Sequence, residues 1–132
     1  MDILFGTSAA VLRGLSTSWG ECTTLATELK ALDGVCFADK YFYYRPSINR
    51  SLFLTEGVWR EQKCLLPTRE RVVVDYIQNH DVLDEGELCM AIDYYAQYMH
   101  EDLSKLYEAA IAMGSSKEEV DHWLYEARVV GY

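Results

Sequence analysis

The sequence predicts an α+β fold: two short N-terminal helices, a small antiparallel sheet, and a C-terminal bundle of four amphipathic helices. Three observations carry this. Apolar residues recur at steps of three and four near the N-terminus. Between Val35 and Leu66 the pattern changes to short runs rich in β-branched and aromatic residues. From Pro67 onward only helical periodicity remains, broken by stretches of a few residues.

The first helix is expected over Thr7 to Leu15, with Thr7 or Ser8 as cap and Gly14 near its end. Cys22, Leu25, Ala26, Leu29 and Leu32 make a second amphipathic stripe, closed by Asp33-Gly34. Short strands follow at Val35-Cys36-Phe37, Lys40 to Arg45 and Ser51 to Leu54, with further strands at Val58 to Arg60 and Lys63 to Leu66. Their order suits an antiparallel meander. Pro67 fits the first turn of the next helix, where a missing N–H costs nothing. Val72, Val73, Tyr76 and Ile77 line that helix, and Asn79 to Val82 end it.

Asp84 caps the following helix, with Glu85 and Glu87 in its first turn, where acids favour the helix dipole. Leu88, Ala91, Ile92, Tyr95, Ala96 and Met99 form its core face. Leu103, Leu106, Tyr107, Ala110 and Met113 line the next helix, which Gly114 terminates. Ser116 and Glu119 have capping-box spacing before the last stripe, Val120, Trp123, Leu124 and Ala127. Short loops between four such helices imply antiparallel neighbours. A chain of 132 residues suits a single domain, with helices and sheet over 1–66 and an acidic helical bundle over 67–132.

Charge is the main guide to function. The formal balance is −9, and it is unevenly placed. Residues 1–67 hold seven acids and seven bases, whereas residues 68–132 hold fourteen acids and five bases. A phosphate-backbone binder needs a net positive face, and an anionic membrane repels this chain, so neither nucleic acid nor membrane is an expected partner. The start of the chain has no basic segment before an apolar run, and no stretch is long enough to span a bilayer, so a cytoplasmic protein is expected. Cys22, Cys36, Cys64 and Cys89 are far apart, with no histidine at ligand spacing, and read as four separate buried thiols rather than a zinc site.

No nucleophile, phosphate-binding or dinucleotide motif is present, and no catalytic residue, metal or cofactor is expected. His80, His100 and His122 read as surface residues, with His122 directed away from the Trp123 stripe. Acid pairs such as Asp84-Glu85 and Glu118-Glu119 sit where helix dipoles favour them. The run Lys40-Tyr41-Phe42-Tyr43-Tyr44-Arg45 has the composition of a base-stacking platform, which the overall charge opposes.

The helix from Asp84 to Met99 carries a second stripe opposite its core face: Glu87, Met90, Asp93, Tyr94, Gln97 and Tyr98. Tyrosine and methionine are enriched at protein interfaces, and acid among them suits a basic partner. The expected contact surface is Glu87, Asp93, Tyr94, Tyr98, Glu101 and Asp102.

The order of motifs resembles the antitoxin domain of AbiEi-type proteins, from bacterial abortive-infection toxin–antitoxin pairs. Ser8-Ala9-Ala10-Val11-Leu12-Arg13-Gly14-Leu15-Ser16 is similar to the family's entry motif. Glu70-Arg71-Val72-Val73-Val74-Asp75 is similar to its Glu-Arg-Thr signature helix, departing at the threonine. Ala91-Ile92-Asp93-Tyr94-Tyr95 resembles the helix that follows, and Leu103, Leu106, Ala110, Met113 and Gly114 the one after. The resemblance implies a non-enzymatic antagonist that neutralises a nucleotidyltransferase-type toxin. Full-length relatives add an N-terminal winged helix, which this sequence does not show, so DNA-binding autoregulation is not implied. A runner-up keeps the acidic surface and changes the target: a phage or mobile-element anti-defence inhibitor of the anti-CRISPR type, occupying the basic nucleic-acid channel of a nuclease.

Overall fold

The computed structural model describes residues 1–18, 20 and 22–131. In chain order its elements are β1 (Ile3–Leu4), α1 (Thr7–Leu12), β2 (Thr23–Thr27), a 3-10 turn (Lys30–Leu32), β3 (Cys36–Phe37), β4 (Lys40–Tyr44), β5 (Leu54–Trp59) and β6 (Gln62–Pro67). The helices α2 (Arg69–Gln78), α3 (Glu85–Tyr98), α4 (Ser104–Ala112) and α5 (Lys117–Tyr125) follow, and a π-helical turn (Glu126–Gly131) continues α5. The class is α+β, but the expected arrangement of its first half is wrong.

The sheet is neither small nor antiparallel. It has six strands in the order β3-β4-β2-β1-β6-β5. β1 runs antiparallel to β2 but parallel to β6, and β2 runs parallel to β4. Only the outer pairs β3–β4 and β5–β6 are the hairpins of a meander. Each turns on two residues, Ala38-Asp39 and Arg60-Glu61, with positive φ at both, the geometry that matches strand twist in tight hairpins.

The second N-terminal α-helix does not exist: its first half is β2, and only the 3-10 turn at Lys30–Leu32 is helical. Thr23, Leu25, Ala26 and Thr27 are all buried because neighbouring strands and both sheet faces enclose them. A strand buried on both faces shows no alternation, and its leucine and alanine spacing mimics a helical stripe. Three threonines in five residues are the strand signal. Pro67 is likewise corrected: it ends β6, and Thr68 caps α2 by accepting from the Arg71 N–H at 3.2 Å. Gly6, with φ of 62°, makes the turn from β1 into α1, so neither Thr7 nor Ser8 serves as cap.

β1 lies at the centre of the sheet, and Ile3, Leu4 and Phe5 are wholly buried. They share one core with Ala9 and Ala10 of α1, Val72 to Val74 and Ile77 of α2, Leu88 and Ile92 of α3, Leu106 of α4 and Val120 of α5. The core therefore draws on both halves of the sequence. α3 starts at the Asp84 cap, whose carboxylate accepts from the Glu87 N–H at 3.1 Å. Ser116 caps α5 through the Glu119 N–H at 3.2 Å and also donates to the Glu119 carboxylate. Among the described residues, no helix is long and apolar enough to cross a membrane.

Candidate functional site: the acidic groove along helix α3

The core face of α3 fixes what its other side presents. With Leu88, Ala91, Ile92, Tyr95 and Ala96 buried, the stripe through Glu87, Met90, Asp93 and Tyr94 turns outward. It lines a cavity of about 500 Å³ together with Asp84 and Ala127. Three carboxylates thus border one depression floored by a methionine and a tyrosine.

The six expected contact residues take different roles. Glu87, Asp93 and Tyr94 come together in the cavity. Glu87 is also structural: its Oε1 accepts from Thr7 Oγ1 at 2.5 Å and from Tyr76 Oη at 3.2 Å, tying α1 and α2 to α3. Burial, then the Glu87 charge, drives the Tyr76 hydroxyl far above the usual phenol range. Thr7 borders a second cavity of about 360 Å³ with Cys22, Thr24, Tyr41 and Tyr43, so the Glu87–Thr7 contact stands between the two.

Asp93 accepts from Arg128 Nε at 2.7 Å and from Gln97 Nε2 at 2.8 Å. Arg128 also grips both oxygens of Glu101, at 2.7 and 2.8 Å. Its hydrogen bonds hold the Glu101 carboxyl below the ordinary range. Asp102, one residue before the Leu103 N-cap of α4, accepts from the Ser104 hydroxyl at 2.7 Å and N–H at 3.0 Å, which lowers its carboxyl as well. Tyr98 is 61% exposed, and the Arg69 guanidinium lies 4.0 Å from its ring centre. Tyr98, Glu101 and Asp102 lie outside the cavity lining.

Sequence reasoning missed Arg128. Its only signal was being one of five bases in the acidic half. It cross-links two of the expected contact acids through the π-helical turn and lowers the charge available there.

The tyrosine strand is absorbed by packing and by the second cavity. Phe42 is buried, and Tyr43 makes edge contacts with Phe5 at 5.4 Å and Tyr41 at 5.0 Å. Arg45 pairs with Asp81 at 3.0 Å. His122 does not avoid Trp123: both its ring and that of His80 lie about 5 Å from the indole. The cysteines are not uniformly buried either. Cys64 and Cys89 are, whereas Cys22 is half-buried and Cys36 exposed. Among the described residues, no cluster of three or more histidine, cysteine or acidic side chains could hold a metal ion.

Within the signature run on α2, Glu70 accepts from Tyr95 Oη at 2.8 Å. Arg71 is wholly buried, bonded to Asp75 at 3.2 Å and to the Leu52 carbonyl at 2.7 Å. These residues hold the architecture around α2 rather than a surface site.

No model of a known protein family matches the chain, and no curated protein does.

Proposed function

We propose that the chain is a non-enzymatic, antitoxin-like antagonist that binds a nucleic-acid- or nucleotide-handling enzyme of the nucleotidyltransferase type through the α3 face. The observation that carries this reading is the groove itself, where Asp84, Glu87 and Asp93 surround Met90 and Tyr94. Enzymes that handle nucleic acid or nucleotides present basic surfaces, and acids around apolar anchors complement them. The motif order shared with AbiEi-type antitoxin domains supports the same class of partner.

Affinity capture from the native host, at low and moderate salt, tests it. Met90→Lys places a cation in the groove without touching the core or the Asp84 cap. The expected result is a nucleotidyltransferase-type enzyme retained by the wild-type chain and lost by the folded variant. Equal retention by Met90→Lys would remove the groove from the contact surface. Capture of a defence nuclease instead would transfer the surface to the anti-defence reading.

A further inference from the structure

We propose that Cys22 and Cys36 form a reversible oxidation site, closing a disulfide between the segment that enters β2 and the edge strand β3. The two Sγ atoms lie 3.6 Å apart although the residues are fourteen positions apart in sequence. A disulfide needs about 2.0 Å, so closure asks for a movement of roughly 1.5 Å. β3 can supply it. It is a two-residue strand at the sheet edge, paired on one side only, and both its residues are exposed. The site is separate from the α3 groove.

The other two thiols provide an internal contrast. Cys64 and Cys89 are 0% and 2% exposed. Burial pushes both thiols up, Cys89 to about 11, which keeps them protonated and poorly reactive. Cys36 is the accessible thiol, and Cys22 is the resolving partner already beside it.

The chemistry balances with a peroxide as oxidant. The Cys36 thiolate attacks one peroxide oxygen, the O–O bond breaks, and hydroxide leaves, giving a sulfenic acid on Cys36. The Cys22 thiolate then attacks that sulfur, the S–OH bond breaks, and a second hydroxide leaves as the S–S bond forms. The protons from the two thiols convert the hydroxides to water. A dithiol or glutathione reverses the link by exchange.

The test uses the full chain, reduced and then treated with stoichiometric hydrogen peroxide. Loss of two of the four thiols is expected, recovered by dithiothreitol. Lys30 lies between the two cysteines, so trypsin separates them unless a disulfide joins the peptides. Mass spectrometry without reduction should find the Cys22 and Cys36 peptides linked within one chain. In Cys36→Ser, an exposed position, that linked species should be absent. Cys36 carried to sulfinic acid without linkage, or a bond to another chain or to Cys64 or Cys89, would overturn the proposal.

Discussion

Arg71 and Asp75 pose a question at the scale of single residues: why a charged pair sits wholly inside. Arg71 answers part of it, because its guanidinium also donates to the carbonyls of Asn49 and Leu52 and so pins the loop before β5 onto α2. Asp75 is less well served. One of its oxygens takes the Arg71 bond and the other has no hydrogen-bond partner among the described residues. Burial outweighs the attraction of Arg71 and raises the Asp75 carboxyl to about 6. A carboxyl raised in the folded state holds its proton more tightly there than in the unfolded chain. Its contribution to stability is therefore complete below about pH 4 and lost as pH climbs through about 6. Asp75→Asn should consequently gain stability relative to wild type between pH 4 and pH 7, read as the difference in urea unfolding free energy; a constant difference would remove Asp75 from the pH response. The four-residue spacing of this pair is visible in the sequence, but its burial is not, since the same spacing is common on exposed helix faces.

Glu87 makes the same point about site residues. The sequence marks it as an outward acid, and it does border the groove, yet it also bridges Thr7 and Tyr76. Glu87→Ala should cost about 1–3 kcal/mol by stranding those two hydroxyls. Tyr98→Ala, at a mostly exposed ring stacked under Arg69, should cost no more than about 1 kcal/mol. Thermal unfolding of the two variants separates a structural acid from a surface aromatic; equal losses would contradict the bridging role.

At the scale of elements, the legible parts are those with strong local signals. α3 and α5 announce themselves by cap and stripe, and the Asp84 and Ser116 caps form as spaced. β1 is illegible because two residues carry no period, and its central position is set by partners far along the chain. β2 is misread because burial on both faces erases alternation. The parallel pairs β1–β6 and β2–β4 are nonlocal, so no turn motif encodes them. The hairpin turns are a different case: the geometry is standard, but the residues are not. Arg60 and Glu61 hold φ of 47° and 67° without glycine or asparagine. An L side chain in this region is strained by contact with the following carbonyl oxygen. Glu61→Gly should relieve that strain and raise stability by about 0.5–1 kcal/mol after the added freedom of the unfolded chain is counted. A raised thermal midpoint with an unchanged fold is the expected reading; a lowered one would mean that the Glu61 side chain contributes more than its backbone costs.

For the molecule as a whole, charge is the property that sequence conveys best and contact geometry the one it conveys least. The excess of acid after residue 67 is plain from composition. How much of it can meet a partner depends on internal partners that only the fold supplies. Arg128 takes up Asp93 and Glu101, Ser104 takes up Asp102, and Tyr107 donates to Asp121 at 2.6 Å. These contacts leave the net charge unchanged while fixing where it points. The long-range field therefore survives even where individual acids are engaged, and it acts on approach before any contact forms. With a basic partner, the association rate should fall about tenfold or more between 0.05 and 0.5 M salt, as the screening length contracts from over 10 Å to a few ångströms. The dissociation rate should change much less, because the short-range contacts of Met90 and Tyr94 do not depend on screening. Stopped-flow association at several salt concentrations separates the two rates. A flat association rate would mean that the acidic half is not what the partner meets first, and the proposed α3 face would then lose its electrostatic rationale.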